Sequence, residues 1–314
     1  MEEALYSQFG FFNTDLVRSA KKGDFLTSPE VSIYFGKILR NWINNSCNLN
    51  KIVEIGSGTG SLIEQIGIKE ITAIELSSTA REELINKGIM THTNVNELTL
   101  EKSELVFGNE ILDNIPCSIG IYRDKVWYEK VVAIQENSFS YDIKPIRNEE
   151  LDWINKNNIV PNEDHELEIQ VNIDKFLNTV IKKISPKNIL LFDYGYEQAN
   201  REKRKYNSFL RTYKNHHLSV DPIEDPGNID ITYDVNFSSL SRELKTLGYD
   251  VTLKLQRNFL LENGFDIIFD ELQKKYLVAE GMEKLKINSE LNGLKAIVDS
   301  NGLGGFYCLN AQKL

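Results

Sequence analysis

Residues 52–60 read IVEIGSGTG, with Gly56, Gly58 and Gly60 at alternate positions behind a short apolar run. A turn of this kind lets the backbone approach a bound ligand closely. Two acids accompany it: Glu54, two residues before Gly56, and Glu75, at the end of the next β-rich run, EITAIEL. An acid at the second position can accept both hydroxyls of a ribose in a dinucleotide or in a simple nucleoside. The dinucleotide fingerprint is G-x-G-x-x-G/A, and counted from Gly56 its last position is Ser61. A carboxylate at Glu54 repels a pyrophosphate resting on the following helix N-terminus and attracts an ammonium. S-adenosylmethionine (SAM) has an ammonium, a sulfonium and no phosphate. Ser61 and Glu54 therefore favour SAM, while Glu75, with Leu76 beside it, serves either ligand. An NAD-linked oxidoreductase is the alternative against which both points count. Gly60 fits the ligand turn or close helix packing alone.

These residues need strand–turn–helix units to hold them. KIVEIG and EITAIEL read as strands, with the helical spacing of GTGSLIEQIG between them; ELVFGNE (104–110) and NILLFDYG (188–195) are further buried strands. IDKFLNTVIKKI precedes the latter as a helix, FSSLSRELKTLG and YDVTLKL give one more helix and strand, and GGFYCLNA is placed as an edge strand. Such alternation predicts a doubly wound, parallel α/β sheet with ligands beyond the carboxyl ends of its strands. Residues 1–48 read as a mostly helical extension and 49–314 as the core. Apolar residues at every second position from Ser118 to about residue 145 predict an inserted antiparallel meander. Asp193, Tyr194 and Gly195 end a buried strand on the ligand side and are expected to line an acceptor pocket. The stretch at about 196–235 is expected to be an acceptor-side loop, with DPIEDPGNID ordered by Pro222, Pro226 and Gly227.

The 314-residue chain is 41% hydrophobic and 26% charged, as expected of a globular protein able to bury a sizeable core. Its 46 acidic against 36 basic residues give a net charge of −10, which disfavours broad binding of nucleic acid. The three cysteines lie far apart, form no metal-ligand spacing and are expected to be free thiols. The acidic N-terminus has no apolar signal core and no apolar run is long enough to span a membrane, so the expected compartment is the cytoplasm. One basic run, Arg201 to Lys205, is either a solvated face or a docking point for an acidic partner.

Five blocks in order carry a more specific signal: TSPEVSIYFGKIL (27–39), the glycine turn with IELS, FGNEILDNIP (107–116), LLFDYGY (190–196) and DPIEDPGNIDITYDVNFSSL (221–240). With a weaker echo in LGGFYCLN, they resemble the MidA-like SAM-dependent methyltransferases, the family of the mitochondrial methyltransferase that assists assembly of respiratory complex I. The resemblance implies a class I methyltransferase (Rossmann-like) fold with a helical N-terminal cover and the β insertion. It implies SAM as cofactor and a protein acceptor, arginine first, on a subunit of a respiratory complex. Glu54, Gly56, Gly58 and Glu75 match the SAM motifs. Asn109 and Glu110, with Asp113 and Pro116, match an Asn-Glu block beside the expected methyl-transfer centre, where Asn109 also meets the cofactor. Thr27, Ser28, Pro29 and Glu30 match a block that covers the cofactor. Family members often carry His where this chain has Asp234, and an acid where it has Asn236.

Transfer to an arginine requires carboxylates to hold the charged guanidinium and localise its lone pair. Glu110 and Asp113 are the candidates, placed on a common side if one helical turn follows the strand. His216, with His217, is a candidate general base for an acceptor of lower pKa, or a structural pair. A SAM-binding assembly protein with little turnover is a further reading that the sequence leaves open.

Overall fold

The computed structural model describes residues 1–13, 27–136, 138–203, 210–214, 217–218 and 221–314, apart from the side chains of 202, 203, 217 and 218. The chain opens with α1 (Glu2–Tyr6), α2 (Ser28–Val31) and α3 (Tyr34–Ser46). Strand and helix then alternate: β1 (Ile52–Ile55), α4 (Ser61–Ile66), β2 (Ile71–Ile74), α5 (Ser78–Asn86), β3 (Thr91–His92) and β4 (Leu105–Asn109). An antiparallel group follows, β5 (Ser118–Arg123), β6 (Val126–Gln135), β7 (Ser138–Pro145), α6 (Asn148–Lys156) and β8 (Glu166–Ile169). Helix α7 (Val171–Ile184) leads back to β9 (Asn188–Asp193). Five short strands come next: β10 (Gly195–Tyr196), β11 (Leu210–Lys214), β12 (His217–Leu218), β13 (Asp230–Tyr233) and β14 (Val235–Asn236). The chain ends with α8 (Phe237–Thr246), β15 (Tyr249–Leu255), α9 (Gln256–Glu262), α10 (Phe265–Val278), α11 (Gly281–Ala296) and β16 (Tyr307–Lys313).

Seven strands form the main sheet in the order β15-β16-β9-β4-β1-β2-β3. Alternate side chains go to opposite faces. Ile52, Leu105, Phe107, Leu190 and Phe192 meet α3, α4 and α9–α11 on one face. On the other, Val53 and Val106 meet the end of α7, and Ile189 and Leu191 meet α7 and α8. Burial on both faces explains the near-continuous apolar runs of β1, β4 and β9. The order reverses between β1 and β4, the switch point at which open α/β sheets place their ligands.

The structure differs from the sequence reading in three places. GGFYCLNA is not an edge strand: β16 lies between β9 and β15, antiparallel to both, so the sheet is mixed rather than parallel. Cys308 goes to one core and Leu309 and Ala311 to the other, which a solvent edge would not require. The insertion runs past residue 145, because β8 pairs with β5, and α6 packs Trp153 and Ile154 on Trp127, Leu167 and Ile169. The stretch at 196–235 is not simply a loop, since β11 pairs with β12 and β13 in a small antiparallel sheet.

The N-terminal cover is held by close packing. A Cβ on Gly293 of α11 would stand 2.6 Å from the Val31 carbonyl oxygen of α2. Gly293→Ala is expected to force α2 away and to cost about 1–3 kcal/mol. Urea unfolding would record this as a lower midpoint at constant slope; an unmoved midpoint would mean that α2 is not held by this contact.

Candidate active site

The turn after β1 needs its glycines. Gly56, Gly58 and Gly60 have φ of +69°, +51° and +83°, in the left-handed region that favours glycine. A Cβ on Gly56 would lie 2.3 Å from Ile111 Cγ2, and one on Gly60 2.7 Å from Leu84 Cδ2. Gly60 therefore serves both turn and packing. The Gly58 N–H donates to Glu75 Oε2 at 2.8 Å, and the Ser77 N–H donates to Glu75 Oε1 at 2.8 Å. Glu75 thus ties the turn to the end of β2 and keeps lone pairs for a ligand.

A cavity of about 580 Å³ opens beside this turn, within the size range of nucleoside-sized ligand sites. Its walls bring together Thr27, Pro29, Glu54, Gly56, Gly58, Glu75, Leu76, Asn109 and Glu110 from the sequence-derived set. Ser28 lies behind the wall: it is buried, its N–H donates to Glu110 Oε1 at 3.2 Å, and its hydroxyl bonds Gln256. Thr27 caps α2 in a capping box with Glu30. The wall also includes residues that the sequence reading missed, among them Tyr6, Asn94, Asn96 and Phe176. Only the position of Tyr6 at the end of α1 and of Asn94 and Asn96 after β3 could have suggested them; Phe176, within α7, carried no such signal.

The electrostatics of the wall are one-sided. Glu2, Glu30, Glu54, Glu75 and Glu110 contribute carboxyl groups, and among the described residues no lysine or arginine lines the cavity. Glu54 is 2% exposed, and its Oε2 is buried without a hydrogen-bond partner among the described residues. Burial holds the Glu54 carboxyl well above its ordinary pKa. A cationic, phosphate-free ligand suits this donor set; a pyrophosphate does not.

No helical turn follows β4. Glu110 adopts φ +54°, a left-handed conformation that a non-glycine residue holds only where its surroundings fix it. Its N–H donates to the Phe192 carbonyl at 2.8 Å, and its Oε1 also accepts from Asn109 Nδ2 at 3.0 Å. Glu110 and Asp113 therefore do not share a helix face. Glu110 faces the cavity, whereas Asp113 is buried and accepts a hydrogen bond from the Tyr194 hydroxyl. They remain close enough to interact. Burial, then the Asp113 charge, pushes Glu110 up to about 8; burial pushes Asp113 up to about 6 against the opposing Tyr194 bond. Asn109 Oδ1 and Asp113 Oδ1 have no hydrogen-bond partner among the described residues.

The expected acceptor-pocket group behaves differently. Asp193 is fully buried, and its carboxylate accepts from the N–H groups of Leu112, Asp113 and Tyr194. It shapes the turn rather than lining a pocket. Gly195 is required by packing, since a Cβ there would lie 2.1 Å from the Val235 carbonyl oxygen. Tyr194 reaches Asp113, and the Arg211 guanidinium lies 4.6 Å from its ring centroid while pairing with Asp234. Arg211 was missed because only the pairing of β11 with β13 brings it here. Asn236 caps α8 by accepting from the Ser239 N–H. Pro116 lines the cavity. His216 and the side chain of His217 lie outside the described residues, as do the side chains of the basic run apart from Arg201, which donates to the Glu166 carbonyl at 2.9 Å.

A raised carboxyl pKa means that the folded protein keeps a proton already lost by the unfolded chain. The Glu110 contribution to stability should therefore decline as pH rises from its ordinary value of 4.5 to about 8, then level off. Glu110→Gln is expected to flatten that part of the stability–pH curve, measured by urea midpoints across this window; an unchanged slope would place the proton elsewhere.

Comparison with known proteins agrees with this geometry. The family model described as "Putative S-adenosyl-L-methionine-dependent methyltransferase" matches residues 36–253. The mitochondrial protein arginine methyltransferase NDUFAF7 homolog of Caenorhabditis elegans is 25% identical, over 83% of this chain and 70% of its own length. The mitochondrial protein arginine methyltransferase NDUFAF7 of Rattus norvegicus is also 25% identical, over 79% of this chain and 65% of its own. This chain thus spans about two thirds of the length of these relatives. Among solved structures, a COG1565 superfamily member from Burkholderia thailandensis bound to S-adenosyl-homocysteine superposes with a TM-score of 0.85, covering 99% of this chain and 86% of the other at 21% identity. A native crystal structure of a COG1565 superfamily protein from the same organism gives 0.81 at 22% identity, covering 99% and 85%. The fold is that of a class I methyltransferase and the cofactor is SAM, which removes the NAD-linked alternative. With the family model matched across most of its length, this chain belongs to that family of SAM-dependent methyltransferases.

Proposed function

We propose that this methyltransferase modifies a protein side chain, arginine first. The observation that carries the reading is the enclosed Glu110 carboxyl group on the wall of the cofactor cavity, with the charge of the buried Asp113 behind it. A guanidinium with an ordinary pKa of about 12.5–13.8 arrives charged. It needs carboxylates to hold it, and charge-assisted bonds are the strong ones. The names of the C. elegans and rat relatives support the same acceptor chemistry. The family resemblance extends the reading to a respiratory-complex subunit as acceptor.

Bound SAM supplies a methyl group on a good leaving group, so the protein's contribution is position and field. In this reading Glu54 receives the cofactor ammonium with its unpartnered oxygen, and Glu75 receives the ribose hydroxyls. Asn109 orients Glu110 through the bond between them. Glu110, neutral at rest beside Asp113, releases its proton to solvent as the cationic acceptor arrives, and its carboxylate then takes the proton that the guanidinium nitrogen loses on methylation. Tyr194 holds the buried Asp113 carboxyl group, whose charge acts on Glu110 from behind the cavity wall.

Two substitutions test the roles separately. Glu54→Gln is expected to weaken S-adenosylhomocysteine binding by about tenfold or more, since hydrogen bonds to charged groups are worth roughly 1.5–3 kcal/mol; calorimetric titration measures it. Glu110→Gln is expected to lower methyl transfer to protein by about a hundredfold or more, with homocysteine-ligand affinity within a few fold of the parent. Binding without transfer to any protein by the unmodified enzyme would favour a SAM-binding assembly protein instead.

A further inference from the structure

The hairpin β6–β7 has a feature that the cofactor site does not explain. Its register sets Lys130 opposite Ile143, Val132 opposite Tyr141 and Ile134 opposite Phe139. Directly opposed residues share a face, so all six project to one side. The opposite side is covered at the base of the hairpin, where Trp127 packs with Leu167 and Ile169 on α6, and further out it carries polar residues such as Gln135, Ser138, Ser140 and Asp142. The apolar side is open: Ile134 is 76%, Val132 52% and Phe139 48% exposed. Scattered apolar residues on a surface are ordinary, but a contiguous patch marks an interaction site or an aggregation hazard.

The patch has a direction. Lys130, Val132 and Tyr141 of the same face line a cleft of about 1520 Å³, with Asp221 and Pro222 on its wall. The Tyr141 hydroxyl donates to Asp221. Lys130 is held over the Tyr141 ring at 4.1 Å and bonded to Glu166 at 2.9 Å, so its stem adds to the apolar surface rather than presenting a free charge. Cys117 and Ser118 line the cleft and follow directly on Ile115 and Pro116, which line the cofactor cavity. The cleft exceeds the roughly 300–1,000 Å³ typical of small-ligand pockets. Its size suits a length of polypeptide better than a free amino acid.

We propose that the open face of β6–β7 is the docking surface for the methyl-acceptor protein: an apolar segment of that protein lies on Val132, Ile134 and Phe139, and its chain continues through the cleft towards the cofactor cavity. The inference rests on the reading that the acceptor is a protein. The side chains of the patch lie outside the cofactor cavity wall, so their loss should spare cofactor binding.

The test compares the unmodified enzyme, the double variant Ile134→Ser/Phe139→Ser and the conservative pair Ile134→Leu/Phe139→Leu. Each is assayed for transfer of tritiated methyl from SAM to the proteins of a cell extract, with S-adenosylhomocysteine affinity measured in parallel. The serine pair is expected to lose roughly tenfold or more of protein labelling, the scale of hot-spot truncation, at unchanged homocysteine-ligand affinity, and the leucine pair to retain labelling. Equal labelling by all three would overturn the docking surface and leave protein methylation standing. Loss of labelling in the leucine pair as well would also overturn it, since an apolar docking face tolerates that exchange. No labelling even by the unmodified enzyme would remove protein methylation, and this surface with it.

Discussion

Asp193 sits without exposed surface at the end of β9, and three backbone N–H groups, those of Leu112, Asp113 and Tyr194, converge on its carboxylate. Burial and the nearby charges of Asp113 and Glu110 raise its pKa, while these hydrogen bonds oppose the rise. Through them β9 dictates how the chain leaves β4. Glu110 is turned into a left-handed conformation facing the cavity, and Asp113 is turned inward to Tyr194. Ser28 then closes on Glu110 from the N-terminal cover. The site is therefore assembled around a buried acid that has no exposed surface of its own.

The same crowding of carboxyl groups explains the ligand. Glu54, Glu75 and Glu110 all have raised pKa values with burial as the leading cause. Without a cation such a wall is costly to ionise. A cofactor with an ammonium and a sulfonium offsets that cost, whereas a pyrophosphate would add to it. Selectivity for a phosphate-free nucleoside thus follows from what surrounds the glycine turn more than from the turn.

Behind Glu110, Asp113, Tyr194, Arg211 and Asp234 form a chain of contacts that links the segments following β4 and β9 to β11 and to the residue after β13. The Arg211 charge favours the ionised form of Asp113, so the small antiparallel sheet contributes to the field at the site. Asp234, which departs from the residue often found in the family, is accounted for by its pairing with this arginine.

The sequence by itself determined the parts that are local. A strand, a turn of three glycines and a helix specify the ligand edge because positive φ at Gly56, Gly58 and Gly60 is a property of those residues and their neighbours. Glu54 and Glu75 were legible for the same reason, being fixed to the ends of adjacent strands. The tertiary structure decided what depends on contacts between distant segments. It made Asp193 a turn anchor instead of a pocket residue and separated Glu110 from Asp113. It brought Arg211 to Tyr194 and threaded β16 between β9 and β15. Alternation in the sequence could give the two faces of β6 and β7, but not that α6 would pack on the one that holds Trp127. Hydrophobic period specifies that a face exists; only packing specifies its partner.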